Sequence, residues 1–255
     1  MFRIKKSQMA AFDEASLEDF EDDTVVHVKT HFPNHDRILG ESRIRKVIRY
    51  GIRRAHHHGL TTERSMCLYV TLMLMLGSNF DVDLQLPWAA TILSDDALKP
   101  QSARVDRLTE TAMEHLDRVA GTDNLHLNRA LFRMRRGLPR IAAQPLVEGV
   151  GFSESMLIHF GDLFPRKYDT VGEHHVRLAL QHGMGTAGRY GLTTDRDLAV
   201  YTSFVFVLGT AFDGDPQLTA ITDVLTEDAA IDPRPKADRL CEKAMSFLEM
   251  WLPQV

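Results

Sequence analysis

The sequence predicts an all-α protein made of two tandem, homologous five-helix units that pack as a pseudo-symmetric helical bundle. Residues 59–64 read GLTTER, and residues 191–196 read GLTTDR, at an offset of 132 (191 − 59 = 132). The same offset relates glycines, aspartates and aromatic residues from Phe20 to Val119 without a slip, which indicates an internal duplication. Apolar residues also recur at helical spacing in both copies.

The repeat divides the chain into a first unit, residues 1–120, a basic junction, residues 121–139, and a second unit, residues 140–255. Each unit is long enough to bury a core of its own. The junction is short, so we expect the two units to pack on each other. Whether they form one domain or two stays open.

Charge and cysteine content narrow the class of protein. The formal net charge is −5, which argues against a general nucleic-acid binder because such proteins normally carry a basic excess. Cys67 and Cys241 lack metal-site spacing, and this pattern indicates a reducing compartment, so we expect a cytoplasmic protein. No apolar segment follows the basic N-terminus, and the longest apolar run, residues 66–76, is too short to span a bilayer. We therefore expect neither a secretory signal nor a membrane partner.

The first unit contains five predicted helices. Pro33 ends the first because proline cannot continue the helical hydrogen-bond ladder, and Gly59 follows the second as its natural C-terminal residue. Thr61 or Thr62 is expected to cap the third, which is apolar nearly all round and therefore predicted to be the buried centre of its unit. The predicted ranges are 7–32, 41–58, 63–76, 88–93 and 103–119.

The second unit repeats this order with two differences. Its first helix is expected to be shorter, since Pro139, Pro145, Gly149 and Gly151 interrupt the equivalent stretch. The junction is expected to hold a short helix of its own. The predicted ranges are 125–136 in the junction and 198–208, 219–225 and 236–251 in the second unit.

Several repeated residues are expected to serve structure instead of chemistry. The recurring carboxylates resemble the start of a calcium loop, but the required glycine and distal glutamate are missing. We expect them to cap the fourth helices or to pair with the recurring arginines. Glycine inside a helix costs about 1 kcal/mol against alanine, so the two helical glycines predict close helix contacts. These structural repeat residues are Arg64, Asp81, Asp83, Arg196, Asp213, Asp215, Gly51 and Gly183.

Four residues are candidates for binding a partner. His56, His57 and His58 end the second helix, where basic side chains complement the helix dipole and could make a pH-sensitive contact. Trp88 has no aromatic equivalent in the second unit, where Ala220 takes its place.

No residue pattern assigns catalysis or a resident metal. His27 and His31 have the spacing of half a metal site, but the glutamate of the zinc protease motif is absent. Ser153 and Ser155 near His159 lack an orienting acid, so they do not indicate a nucleophile. The arginines of the junction could contact nucleic acid, but they lack an interleaved aromatic platform.

Four stretches together resemble a family of uncharacterised bacterial proteins. Residues 4–12 read IKKSQMAAF, residues 27–33 read HVKTHFP, and the GLTTER phrase precedes residues 77–89, GSNFDVDLQLPWA. Members of this family are often encoded near type VI secretion spike, PAAR-like or effector genes. The resemblance covers most of the first unit and the second more loosely, and it implies an accessory role in bacteria without implying catalytic residues.

These observations predict a non-enzymatic, cofactor-free accessory protein that binds another protein. The resemblance implies an adaptor or chaperone for a type VI secretion effector, or an immunity protein. The first alternative is a metal-binding protein or enzyme that uses the histidine-rich helices. A weaker alternative is a nucleic-acid-binding regulator that acts through the arginines of the junction.

Overall fold

The computed structural model describes residues 6–227 and 234–251, with side chains from Leu17 onward. The described residues fold into α-helices and short 3-10 turns, without a β-strand. The predicted all-α class is therefore confirmed for this part of the chain. The opening residues that contribute to the family resemblance, Ile4 and Lys5, lie outside the described residues.

The helices follow one another with short connections. Two 3-10 turns, Phe80–Val82 and Phe212–Gly214, follow the fourth and eleventh helices, and a third, Thr122–Asn124, precedes the seventh. The α-helices are α1 (Lys6–His31), α2 (Pro33–Leu39), α3 (Glu41–His57), α4 (Glu63–Leu76), α5 (Pro87–Leu93), α6 (Gln101–Val119), α7 (Leu125–Ala143), α8 (Phe152–Leu163), α9 (Pro165–Val171), α10 (Glu173–Arg189), α11 (Asp195–Leu208), α12 (Thr219–Thr226) and α13 (Lys236–Glu249).

Helix boundaries recur along the chain at the offset seen in the sequence. Helices α9, α10 and α11 begin and end 132 residues after α2, α3 and α4 (165 − 33 = 132; 208 − 76 = 132). We call α1–α6 the first half and α8–α13 the second half, and α7 joins them. The threonine caps also recur: Thr62 accepts from Ser65 N, and Thr194 forms a capping box with Asp197.

Two predicted features need correction. Each half has six α-helices among the described residues instead of five, because Pro33 and Pro165 end one helix and start the next. Proline is tolerated in a first helical turn, where its missing N–H would be unpaired anyway. Helix α7 runs on to Ala143 with Pro139 inside it, so the predicted boundary after residue 139 falls within a helix.

Helices α4 and α11 form the centres of the first and second half, respectively. Helix α4 packs against α1, α3 and α6, while α11 packs against α7, α8, α10 and α13. Tyr69 and Tyr201 are fully buried at equivalent positions, each against a phenylalanine of the following 3-10 turn. Helix α7 therefore covers α11 on the side where the shortened α8 leaves it open.

Two buried aspartates join the halves, and each accepts a hydrogen bond from the opposite half. Asp83 of the first half accepts from the Thr210 hydroxyl of the second at 3.0 Å. Asp215 of the second half accepts from the backbone N–H of Ser78 in the first at 2.7 Å. All four residues are buried, so each loop has its polar groups satisfied only when the other half is in place.

Two glutamines extend the same exchange to the central helices. The amide of Gln85 donates to the Val205 carbonyl in the last turn of α11 at 3.1 Å. The amide of Gln217 donates to the Met73 carbonyl in the last turn of α4 at 2.8 Å. Each of these carbonyls also accepts from the glycine N–H that ends its own helix, Gly209 N for Val205 and Gly77 N for Met73. Each glutamine therefore adds a second hydrogen bond at the end of the other half's central helix.

Glycines make room for these contacts. Gly209 has a φ of +107°, and a Cβ there would lie 2.8 Å from the Asp83 carboxylate. Within the first half, a Cβ on Gly51 would lie 2.7 Å from both Val70 and Met73. Gly183 has the same tight surroundings against Thr202 and Val205, so α3 and α10 pack closely on the central helices.

Substitution of Asp83 by alanine tests the importance of the crossed carboxylates. We expect Asp83→Ala to lower the free energy of unfolding by about 2–3 kcal/mol, because it leaves the Thr210 hydroxyl and the Gln85 N–H buried without an acceptor. Asp95→Ala is the matched control, since Asp95 accepts from Ala97 N, two residues on, as Asp83 accepts from Gln85 N, but at an exposed site. Chemical denaturation measures both; equal effects would contradict a joining role for Asp83.

Candidate functional site

A groove of about 680 Å³ lies between α7 and α8. The connection between these helices, residues 144–151, forms its third side. The volume is within the range of about 300–1,000 Å³ that is typical of ligand sites. The groove is lined by Arg133, Arg136, Gly137, Arg140, Ile141, Gln144, Leu146, Val147, Glu148, His159, Asp162 and Leu163.

The groove exists because the second half departs from the first. Helix α1 is continuous from Lys6 to His31, but its counterpart is interrupted, and α8 begins only at Phe152. The first helix of the second half is therefore shorter, as the prolines and glycines predict. The interruption separates the end of α7 from α8 and opens the groove between them.

Helix α7 presents one face to the core and another to the groove. Its buried residues include Ala130, Met134, Leu138 and Ile141, which pack towards α11. At about 100° per residue, Arg129, Arg133, Arg136 and Arg140 fall within an arc of about 60° on the other side. We call these four side chains the arginine stripe, and all four residues are exposed.

Three arginines of the stripe line the groove without a carboxylate partner. Across residues 6–227 and 234–251, Arg133, Arg136 and Arg140 take part in no ion pair or hydrogen bond through their side chains. The neighbouring Arg135, by contrast, forms an ion pair with Glu249, with 3.1 Å between Arg135 Nε and Glu249 Oε1. Since a guanidinium stays protonated in proteins, the groove has three unpaired positive charges along its α7 wall, while Asp162 and Glu148 line its other sides.

The connecting segment is held in place by two side chains of α8. The buried Ser155 hydroxyl accepts from Val147 N at 2.9 Å, and His159 Nε2 lies 3.1 Å from the Pro145 carbonyl. A carbonyl only accepts, so His159 carries its proton on Nε2 in this contact. Ser155 and His159 thus shape the groove wall, and neither is placed to activate the other.

The paired aspartates do not make the contacts predicted from the sequence. Arg64 pairs with Asp106 at 2.7 Å, and Arg196 pairs with Asp238. The helices predicted as the fourth of each unit, α5 and α12, begin without a side-chain cap. The predicted capping role and the predicted pairing with Arg64 and Arg196 are therefore wrong, because Asp83 and Asp215 are used between the halves instead.

Asp81 is the centre of a buried charge cluster in the first half. Its side chain is fully buried, and it accepts from Arg54 and from His58 Nε2, the latter at 2.6 Å. Burial opposes ionisation, but the hydrogen bonds from His58 and Arg54 outweigh it and lower the pKa of Asp81. The equivalent aspartate, Asp213, accepts instead from the Tyr190 hydroxyl at 2.8 Å.

The histidine run is therefore divided between two environments. His58 is half-buried against Asp81, whereas His56 and His57 are exposed at the end of α3. His56 Nε2 also approaches the sulfur of Met66, at 3.1 Å. Only His56 and His57 remain available to a partner at this helix end.

Trp88 of α5 is half-buried and lies next to His115 of α6, the helix that contacts α9 of the second half. Its ring is 6.0 Å from that of His115, and its indole N–H is buried without an acceptor in the described part of the chain. Burial, with the nearby cations Lys167 and Arg118, lowers the pKa of His115 to about 4. Burial likewise lowers the pKa of Lys167 to about 8, while Asp83 opposes the shift.

His27 and His31 lie four residues apart on α1, with ring centroids 4.6 Å apart and ring planes tilted by 45°. Among the described residues, no three histidine, cysteine, aspartate or glutamate side chains come together as a metal site. Nor does any helix in the described ranges have the length and hydropathy needed to cross a bilayer.

Comparisons with known proteins add no relative to this geometry. No family model, curated protein or solved structure matches the chain.

The groove was not predicted from the sequence, although the spacing of its arginines is visible there. The spacing 129, 133, 136 and 140 is that of one helical face, and it directly precedes the interrupted stretch.

Replacement of His115 by phenylalanine tests the contact between the halves, because Phe247 occupies the equivalent position (247 − 132 = 115). A histidine whose pKa is lower in the folded than in the unfolded protein makes its full contribution to the stability of the fold above the unfolded pKa, near 6.5. That contribution is lost as the pH falls towards the folded pKa of about 4. Between those pH values, wild type should lose up to about 3 kcal/mol more unfolding free energy than His115→Phe.

Denaturant titrations at several pH values measure this difference. The difference between the two proteins is needed, because burial also lowers the pKa of His27 and His35. Parallel pH dependence in wild type and variant would show that His115 protonates freely in the folded protein.

Proposed function

We propose that this chain is a non-enzymatic accessory protein that binds another protein, and that the α7–α8 groove receives a segment of that partner. The observation that carries the proposal is the groove itself, about 680 Å³ in volume and lined by three arginines that have no carboxylate partner among the residues that the structure describes. Arginine is enriched in protein interfaces, where its planar guanidinium makes several directed hydrogen bonds.

The rest of the groove suits a protein segment. Leu146 is 40% exposed and stands beside Val147 on the connecting segment, while Ile141 and Leu163 provide a buried apolar floor. An apolar centre with polar groups around it is the usual anatomy of a protein interface. The well-anchored connecting segment would require little ordering on binding, which favours affinity.

The resemblance to proteins encoded near type VI secretion genes supports a setting for this binding. We propose an adaptor or chaperone for a secreted effector, or an immunity protein, as the biological role. The free cysteines Cys67 and Cys241 support a reducing compartment such as the cytoplasm.

The matching helix boundaries and crossed contacts of the two halves support an origin by duplication of one helical unit. On this proposal the interrupted helix and the groove arose in the second copy, while the first copy kept a continuous α1. The partner-binding surface would then be a later addition to a shared scaffold.

Gly137 allows the groove to be blocked without damage to the fold. It lies inside α7 and lines the groove, and a Cβ added at this position would have open space around it. Gly137→Leu should remove a helical glycine that costs about 1 kcal/mol, so the variant should be at least as stable as wild type. We expect it to lose at least about tenfold in partner affinity, a change of about 1.4 kcal/mol.

The measurement is co-purification of the tagged protein with products of neighbouring genes, followed by titration of each retained partner. Gly185→Leu is the matched control, since Gly185 is an exposed helical glycine in α10 with equally open surroundings. A partner lost with Gly137→Leu and kept with Gly185→Leu supports the proposal. A protein that retains no partner, or a partner held equally by both variants, would contradict it.

A further inference from the structure

We infer that the groove binds an acidic helical segment of the partner. The carboxylates of this segment, at positions i, i+3 and i+7, face Arg133, Arg136 and Arg140 of the arginine stripe. This inference rests on the proposed function, because it specifies the chemistry of the segment that the groove would bind. Its basis is the spacing and the unpaired state of Arg133, Arg136 and Arg140.

The spacing of the arginines sets the spacing of the ligand charges. Along a helix with a rise of about 1.5 Å per residue, Arg133 and Arg136 are separated by about 4.5 Å, and Arg136 and Arg140 by about 6 Å. A second helix that lies alongside α7 and runs parallel to it repeats the same rise. Its carboxylates at i, i+3 and i+7 therefore come opposite the three guanidinium groups in order.

An extended segment fits the same charges less well. Side chains on one face of an extended chain recur about every 6.8 Å, so three successive ones span about 13.6 Å. The three arginines span only about 10.5 Å along α7. A helical ligand therefore matches all three charges, whereas an extended ligand falls out of register over the same distance.

The absence of internal partners marks these arginines as available. The protein carries 35 acidic against 30 basic residues, so carboxylates are abundant, and partly exposed arginines elsewhere use them. Arg177 binds Glu154 and Glu173, and Arg45 binds Asp22 and Glu41. Three neighbouring guanidinium groups repel one another, and an acidic ligand would relieve this repulsion.

The opposite wall favours a peptide over a nucleic acid. Asp162 and Glu148 face the groove from α8 and the connecting segment. A polyphosphate carries charge along its whole length and would be repelled by both carboxylates. A helix can direct its carboxylates to the arginine stripe and apolar residues to Leu146 and Val147, as amphipathic helices do in grooves.

The test uses the full chain and a fluorescein-labelled, alanine-based helical peptide of about 18 residues, long enough to populate a helix. The probe carries glutamates at i, i+3 and i+7 and leucines on the adjoining stripe. A control peptide of the same composition has its glutamates at i, i+2 and i+5, which distributes them around the helix. Fluorescence anisotropy at low salt measures both affinities, since salt screens exposed charges.

We expect the probe to bind at least about tenfold more tightly than the control peptide. Arg136→Glu should weaken the probe by at least about tenfold, because it removes charge-assisted hydrogen bonds and adds repulsion. Lys46→Glu is the matched charge control: Lys46 is exposed on α3 and has no ion-pair partner in the described ranges. This variant should bind the probe as wild type does.

Two results would overturn the inference. One is equal binding of the two peptides, or of the probe to wild type and Arg136→Glu. The other is tighter binding of a single-stranded DNA oligonucleotide of about 15 nucleotides than of the probe, which would assign the groove to nucleic acid.

Failure of this inference can be told apart from failure of the proposed function. A co-purifying partner lost with Gly137→Leu but insensitive to Arg136→Glu leaves the protein-binding function in place and removes the acidic segment. Binding of the acidic probe without any protein partner retains the charge recognition of the groove and removes the proposed function.

Discussion

Two buried carboxylates, Asp83 and Asp215, make each half of this protein dependent on the other. Each accepts from the loop that follows the central helix of the opposite half. Burial raises the pKa of Asp215 despite hydrogen bonds from Ser78 and Gln217, so the contact stabilises the fold only when those donors are in place. The ends of α4 and α11 are thereby fixed relative to each other, and the remaining helices pack around them.

The crossed contacts are nearly symmetric, but the surroundings are not. The position that holds Lys167 in the second half is held by His35 in the first, and His115 corresponds to Phe247. His35 packs on Trp251, with ring centroids 4.6 Å apart, whereas Lys167 lies near His115 on the other side. Once the crossed aspartates and glutamines join the halves, the surrounding positions tolerate different side chains.

The largest departure from symmetry is also the candidate site. The first half covers its central helix with a continuous α1, and the second half uses α7 and the shortened α8 for the same purpose. Helix α7 buries its apolar face against α11. Because the arginine stripe lies on the other side of α7, it faces outward along the groove between α7 and α8. The groove and its charge are thus consequences of one interruption in a helix.

Local signals allowed much of the helical order to be predicted. The positions of proline, glycine and threonine predicted the bounds of α3, α4 and α11 to within a few residues, since caps and helix breakers act on the backbone close to them. The same signals misled at Pro139, which α7 accommodates, and at Pro33 and Pro165, where a break in one helix is also the start of another. The position of a helix-breaking residue does not by itself show whether a new helix starts at the same point.

The partners of charged side chains were beyond the reach of the sequence. Arg64 and Asp81 recur with their counterparts, yet Arg64 binds Asp106 while Asp81 binds Arg54 and His58. Many carboxylates are available to each arginine, and the choice depends on which helix faces pack together. By itself the sequence determined the helical class, the caps and the offset of 132, because periodicity and punctuation are local. Only the tertiary structure decided the crossed aspartates and the groove, because both require side chains that are brought together from distant parts of the chain.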